Sequence, residues 1–437
     1  MIAPETFARY AAMRVPRYTS YPTAPHFSAA VDHLEYRSWL RRIPEGEPTS
    51  IYLHVPFCRA MCWYCGCHTT VANRQAPVGR YVASLEREIA LVAAELDARP
   101  LVRHLHWGGG SPTLLRPEAI TRLSQLLRTA FAVADLAEIA VEVDPRTLTA
   151  PVAEAFAWSG VNRASVGVQS FDPAVQAAIN RVQSFAVTAE AVALLRRNGL
   201  TALNFDLIYG LPLQTVASCE ETVRQALRLR PDRIAVFGYA HVPAFKPHQR
   251  KIDERALPGL AERHDQFEAM AALFRVHGYV QVGLDHFALP DDPLARAARA
   301  GTLRRNFQGY TTDPCSTLIG FGASAIGQLA EGFVQNAVRI PDYQQRIDGG
   351  QLAVTRGCRV GQADRQRARI IEQLMCSYAA DVSGVGAPLD RLEADGLIRR
   401  SGNRIEVVDE ARPLVRVVAA AFDAYLPNSA AAHVAAV

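Results

Sequence analysis

Four cysteines fall within ten residues, Cys58, Cys62, Cys65 and Cys67, in the run Cys58-Arg-Ala-Met-Cys62-Trp-Tyr-Cys65-Gly-Cys67. Thiolates spaced this closely on one loop bind metal or do redox chemistry rather than staple a fold. Cys58, Cys62 and Cys65 can hold three corners of an iron–sulfur cluster and leave the fourth iron open. Zinc is the competing occupant, and Cys67 or His68 can complete its four ligands. The loop follows the β-rich run Ile51-Tyr-Leu-His-Val55, which places it at a strand's C-terminal end. In β/α barrels, active sites gather at that end. The other four cysteines, Cys219, Cys315, Cys358 and Cys376, are scattered and read as small buried apolar residues.

A second strand ends in Trp107-Gly-Gly-Gly-Ser-Pro-Thr113. Consecutive glycines let backbone approach a ligand closely and leave N–H and C=O groups to bind it. Gly108, Gly109, Gly110 and Ser111 suit the amino and carboxylate groups of a bound amino acid; alone, they are equally a tight turn. A third strand ends in Val141-Glu142-Val-Asp-Pro-Arg146, where a carboxylate can accept hydrogen bonds from a ribose. Gln169 follows a fourth strand, Asp206 lies in a fifth, and Tyr239-Ala240-His241 follow a sixth; Arg181 lies in the segment after Gln169. Each alone reads as structural. Their recurrence at strand ends is what points to one site.

These residues need a scaffold, and the chain supplies a strand–helix alternation. β-Rich runs occupy 50–55, 105–108, 139–143, 164–168, 203–208, 234–239 and 280–285, with helical periodicity at 81–96, 185–195 and 260–276. The expected class is α/β: a partial or full parallel β/α barrel. Residues 1–46 read as an irregular arm outside the core. Residues 47–350 read as the barrel with an extension for substrate. Residues 351–437 read as a small, mostly helical, winged-helix-like domain: helices at 360–379, 389–396 and 412–426, a hairpin at 397–408, and a fraying Ala-rich tail.

Composition removes several function classes. Hydrophobic residues make up 49% and charged residues 21% of the 437, as in an ordinary globular enzyme. A net charge of +4 is too balanced to argue for nucleic acid or an anionic membrane. Only Lys246 and Lys251 are lysines among 47 basic residues, which disfavours Schiff-base chemistry. No apolar run reaches membrane-spanning length, and residues 1–17 carry no leader-like pattern. A cytoplasmic location is expected.

The Cys-x-x-x-Cys-x-x-Cys spacing followed by a glycine run on the next strand resembles the radical S-adenosylmethionine (SAM) superfamily. The segments 52–67, 107–113, 142–146, 167–171, 206–212, 239–241 and 305–311, with the arm Pro16-Arg-Tyr-Thr-Ser-Tyr-Pro-Thr23, resemble the oxygen-independent coproporphyrinogen III oxidase family within it. The resemblance implies a 4Fe–4S cluster on Cys58, Cys62 and Cys65, and two SAM molecules as co-substrates. It implies SAM contacts at Tyr52, Tyr64, Gly108, Gly109, Gly110, Ser111, Glu142, Gln169, Arg181, Asp206, Ala240 and Ile326. Cys67 matches a cysteine associated with activity but not with cluster ligation. Ser111 stands where the family has Thr, and keeps the hydroxyl.

The implied reaction is oxidative decarboxylation of two propionates of coproporphyrinogen III to vinyl groups, giving protoporphyrinogen IX in haem biosynthesis through a 5′-deoxyadenosyl radical. A reducing donor such as flavodoxin, a tetrapyrrole substrate and a monomer go with it; nucleic acid and membrane do not. A macrocycle with four carboxylates needs arginines beside apolar walls. Arg17, Arg250, Arg304 and Arg305 lie in matching segments, and Tyr18 and Tyr21 can cover the barrel mouth or pack outside it. The alternatives are a haem chaperone or haem-modifying radical relative, which Cys67 and the Tyr-rich arm disfavour, and a zinc-stabilised regulator.

Overall fold

A computed structural model describes residues 2–426 and 434–436. Seven parallel strands form its framework: β1 (Pro48–Val55), β2 (Leu101–Gly109), β3 (Ala132–Val143), β4 (Arg163–Gln169), β5 (Ala202–Tyr209), β6 (Arg233–Gly238) and β7 (Thr317–Phe321). Their spatial order is β7-β1-β2-β3-β4-β5-β6, every neighbouring pair parallel. Antiparallel strands flank both ends: Val280–Val282 and His286–Ala288 beyond β6, and Ile326–Leu329, Gly332–Asn336 and Val354–Arg359 beyond β7. No ladder among the described residues joins the two ends, so the barrel is partial.

Alternation along the strands explains why the sheet curves around a polar interior. Ile51, Leu53 and Val55, then Leu105 and Trp107, then Val141 and Val143, then Val166 and Val168, then Phe205 and Leu207 all belong to the buried apolar core. The residues between them are polar: Tyr52 and His54, His104 and His106, Glu142, Ser165, Asn204 and Asp206. Successive strand residues face opposite sides. One face therefore packs on the helices, among them Gln75–Ala94 and Pro117–Ala130, and the other lines the concavity.

Three expectations need correction. Residues 1–46 are not an irregular arm outside the core. Pro4–Ala11 and His33–Leu40 are helices, and Trp39 and Leu40 are fully buried in the main core. Asp32 caps the second by accepting from the N–H groups of Leu34 and Glu35. The run 280–285 is not a further parallel strand but part of an antiparallel edge hairpin. The last helix covers only Val415–Ala420, preceded by a 3₁₀ turn, Asp409–Leu414, with Pro413 inside it; proline removes the N–H that a longer helix needs.

The chain's end holds helix Gln362–Ser377, a three-stranded antiparallel sheet (379–381, 404–407, 398–401) and short helix Asp390–Ala394. The expected fraying tail lies largely outside the described residues. Its Val434–Ala435 pair antiparallel with Arg14–Val15.

One buried acid ties the closing strands to the first barrel helix. Glu88 accepts from Gly322 N at 2.7 Å, Asn336 Nδ2 at 2.6 Å and Tyr343 Oη at 2.7 Å. Burial pushes its carboxyl up to about 7. The folded state therefore binds a proton that the unfolded state has lost above about 4.5. This contribution is fully present below the unfolded value and is lost as pH rises through the folded one. Thermal unfolding between pH 5 and 8 should show wild-type stability falling relative to Glu88→Gln, by about 2–3 kcal/mol across the window. A pH-independent difference between the two would sink this account.

Candidate active site

The cysteine loop leaves β1 beside the glycine turn that leaves β2. Gly110 N donates to Val55 O at 2.8 Å, which locks the two strand ends together. The turn requires glycine. Gly109 has φ +111°, and a Cβ there would meet the His54 ring at 2.6 Å; one at Gly108 would meet Glu142 Oε1 at 2.6 Å. The expected SAM contacts Gly108 and Gly109 thus lie flush against Tyr52, His54 and Glu142.

Polar groups of the inner face satisfy one another in three short chains. His54 Nε2 faces His68 O at 2.9 Å and must donate to it, so Nδ1 accepts from Tyr52 Oη at 3.0 Å. Burial pushes the His54 pKa down, which keeps this neutral tautomer. Glu142 accepts from Gly109 N at 3.0 Å and lies 3.2 Å from His106 Nε2; the His106 ring stacks on Tyr52. Asp206 accepts from Ser165 Oγ and Asn204 Nδ2, both at 2.8 Å. Burial pushes Asp206 up to about 6.

Gln169 ends β4 with φ +68°, a left-handed conformation that costs about 1 kcal/mol for a non-glycine residue. A Cβ at Gly320, which pairs with Tyr52, would meet Ile326 O at 2.5 Å, so Ile326 reaches the same level two strands away. Ser111 is 2% exposed, and its hydroxyl lies 2.7 Å from Thr113 Oγ1 within a trio that includes Thr147. That engagement turns the Ser111 side chain toward the protein; its main chain stays in the glycine turn.

Around the cysteines, cations and main chain hold the loop. Arg146 grips Asp144 through two nitrogens, at 2.9 and 2.7 Å, and its Nη2 lies 3.6 Å from Cys62 Sγ. Arg181 donates to Gly167 O at 2.7 Å and reaches Cys62 Sγ at 3.7 Å. Thr69 Oγ1 donates to Cys58 Sγ at 3.2 Å, while burial pushes the Cys58 thiol up to about 11. Cys67 shares its thiol proton with Cys65, which pulls Cys65 down and Cys67 up.

No three His, Cys, Asp or Glu side chains among the described residues converge closely enough to grip a single ion. A mononuclear zinc site needs such convergence. A 4Fe–4S cluster takes each thiolate on a different iron, so donors spaced along a loop suit it. N–H donors aimed at cysteine sulfur also fit, because they offset the negative charge of a thiolate-bound cluster.

The sequence does not announce one further contact to the cysteine loop. Residues 246–251 clasp the cysteine loop: Lys246 Nζ donates to Cys67 O at 3.1 Å, His248 Nε2 to Cys65 O at 2.7 Å, and Gln249 Nε2 to Tyr64 O at 3.1 Å. Lys251 sits over the Trp63 ring. Gln249 is 1% exposed and also bonds Ala240 O at 3.1 Å and Val242 N at 2.6 Å. It therefore joins two of the expected SAM contacts, Tyr64 and Ala240. Both lysines of the chain lie in this clasp, and that coincidence was the one available signal. For the inner-face groups His54, His106, Ser165 and Asn204 the signal was period-two polarity within the strands.

The expected substrate arginines separate. Arg17 and Arg305 line a cavity of about 650 Å³ beside Tyr239, Ala240 and His241. Arg304 instead pairs with Glu372 at 3.1 Å, and Arg250 is exposed on the clasp. Tyr18 and Tyr21 do not cover the mouth. Tyr18 Oη donates to Asp423 at 3.1 Å and Tyr21 Oη accepts from Ala424 N at 3.0 Å, which docks the arm on the C-terminal module.

Residues 52–226 match the Radical SAM superfamily. A protein of Bradyrhizobium diazoefficiens named oxygen-independent coproporphyrinogen III oxidase is 54% identical over 98% of both chains. One of the same name from Cereibacter sphaeroides is 43% identical over 94% of both. The solved structure of Escherichia coli coproporphyrinogen III oxidase, a radical SAM enzyme, superposes with a TM-score of 0.88 at 37% identity, covering 94% of this chain and all of that one. On identity sustained over nearly its whole length, this chain belongs to the oxygen-independent coproporphyrinogen III oxidase family of radical SAM enzymes.

Proposed function

We propose that this chain is the oxygen-independent coproporphyrinogen III oxidase of its organism. It converts two propionate side chains of coproporphyrinogen III to vinyl groups and forms protoporphyrinogen IX in haem biosynthesis. The observation that carries the reading is the meeting of the cysteine loop, the glycine turn and the polar inner face at one end of the barrel, in a chain 54% identical end to end to a protein of that name. Its cofactors are a 4Fe–4S cluster and SAM, two molecules of which serve as co-substrates.

In this reading Cys58, Cys62 and Cys65 hold the cluster. When bound, the cluster supplies the single electron that cleaves SAM to methionine and a 5′-deoxyadenosyl radical. The chain's own residues position and shield. Gly108 to Ser111 offer main-chain groups to the methionyl amino and carboxylate groups. Glu142 faces ribose hydroxyls, oriented by Gly109 N and His106. Tyr52, Tyr64 and Ile326 wall the chamber. Gln169, Arg181, Asp206 and Ala240 complete the contacts, and Arg181 also offsets charge at Cys62. Cys67, two residues beyond Cys65 on the same loop, takes the catalytic role in this reading.

A flavodoxin-like donor, a monomeric state and a cytoplasmic location complete the proposal. No helix among the described residues is long and apolar enough to cross a membrane. The haem-chaperone and haem-modifying alternatives gain no specific observation.

Anaerobic turnover of reconstituted protein with coproporphyrinogen III, SAM and a reductant, resolved by mass spectrometry, tests the assignment. Protoporphyrinogen IX and 5′-deoxyadenosine are expected, and Cys62→Ala should abolish both. Deoxyadenosine without a decarboxylated tetrapyrrole would refute the substrate. Gln249→Ala should raise the KM for SAM about tenfold, because it frees three main-chain groups, two of them at the SAM contacts Tyr64 and Ala240. Gln249→Glu retains only the acceptor for Val242 N and should fall between the two. An unchanged KM in Gln249→Ala would remove Gln249 from the positioning network.

A further inference from the structure

The cavity of about 650 Å³ at the ends of β5 and β6 carries an unusual charge balance. Among the described residues, five arginines line it, Arg14, Arg17, Arg263, Arg305 and Arg416, against one carboxylate, Asp285. They come from three parts of the chain: the arm, the barrel and the C-terminal module. Asp285 is already engaged, 2.7 Å from His286 Nδ1. Like charges confined together repel, and partial burial sharpens the repulsion. Burial and the nearby Arg17 and Arg305 push Arg416 down to about 10, still charged at neutral pH.

Arg17, Arg263 and Arg305 are held in place, and Arg305 retains unpaired donors. Arg17 gives one nitrogen to Gly238 O at 3.1 Å and Arg263 gives one to Tyr239 O at 2.9 Å. Arg305 lies 4.4 Å over the Tyr310 ring and gives Nη2 to Arg17 O at 3.3 Å. Its Nε and Nη1 are buried with no hydrogen-bond partner in the protein. A buried donor left unpaired costs roughly 1–3 kcal/mol, more when charged. An anionic ligand at this place would remove that cost. Phe237, Phe267 and Leu284 supply an apolar wall beside the charges, so the cavity fits an apolar body bearing carboxylates.

The proposed reaction leaves two of the four propionates intact. A carboxylate that must depart as neutral CO₂ is disfavoured by a strong arginine pair, because the pair stabilises the ground state more than the transition state. The arms that stay carboxylates gain from such pairs throughout. Resting on the oxidase reading, we propose that Arg17, Arg263 and Arg305 form a subsite for the carboxylates of the non-reacting propionates. The subsite adjoins Ala240, so a macrocycle anchored there reaches the SAM contacts from the β6 side.

The test uses the reconstituted holoenzyme. Fluorescence titration with coproporphyrin III and with its tetramethyl ester compares the same macrocycle with and without carboxylates. The acid should bind wild type at least about tenfold more tightly than the ester. Arg305→Gln and Arg263→Gln should each weaken the acid about tenfold and leave the ester unchanged; Arg305→Lys should fall between. The KM for coproporphyrinogen III should rise in parallel while the KM for SAM stays put. Acid and ester binding wild type alike would overturn the subsite without reliance on any variant, as would glutamine variants that bind the acid normally. Absence of protoporphyrinogen from the wild type would instead overturn the oxidase reading and the subsite with it, so the two failures are distinguishable.

Discussion

Every feature of the site depends on strands that keep two incompatible faces apart. Outward residues such as Leu53, Trp107, Val141 and Phe205 are removed from water against the helices. Inward residues are polar, and burying them is costly unless each finds a partner. The structure meets this locally. Tyr52, His54 and the His68 carbonyl form one chain, Glu142 with Gly109 and His106 a second, and Asp206 with Ser165 and Asn204 a third. A shift of one residue in any strand's register would exchange the two faces and destroy core and chamber together. The barrel is thus specified as strongly by its polar interior as by its apolar exterior.

On that frame the reactive loop needs little structure of its own. It has no helix, and only the two-residue strand Phe57–Cys58 pairs with Thr70–Val71. Its geometry comes from outside. Trp63 N donates to Ile179 O, Asn180 Nδ2 to Met61 O, and the 246–251 segment takes the carbonyls of Tyr64, Cys65 and Cys67. A loop held at both flanks by rigid elements can present three thiolates in a fixed array. Arg146 and Arg181 connect the array to β3 and β4 through Asp144 and Gly167. The cysteines are therefore coupled to the strand ends expected to hold SAM.

Much of this was legible in the sequence, because strand ends and loops announce themselves in residue type. The Cys spacing and the glycine run each break the local strand pattern and so mark the rim, while Glu142 keeps the alternation and stands out as a carboxylate at a strand's end. Gln249 was illegible for a physical reason. Its importance lies in three main-chain partners at residues 64, 240 and 242, and main-chain groups carry no residue identity. The arm was misjudged for a related reason. Tyr, Pro and Arg suggest an exposed segment, yet Tyr10, Tyr18 and Tyr21 are buried, each with its hydroxyl bonded. Buried tyrosine needs such a partner, and the partners here stand about 400 residues away.

That long-range pairing also bears on the C-terminal module. Arg14–Val15 form a strand pair with Val434–Ala435, and Tyr10, Val15, Tyr18 and Tyr21 share an apolar cluster with Leu374, Leu414 and Phe422. The arm and the module thus fold as one body, and its arginines Arg17 and Arg416 meet the barrel at the cavity wall. On its exposed surface Arg400 is tied to Asp390 and Glu393, and Arg9 of the arm to Asp395. The arm and the module bring Arg17 and Arg416 to the same cavity that the barrel lines with Arg263 and Arg305, so its wall is complete only when both ends of the chain are docked on the barrel.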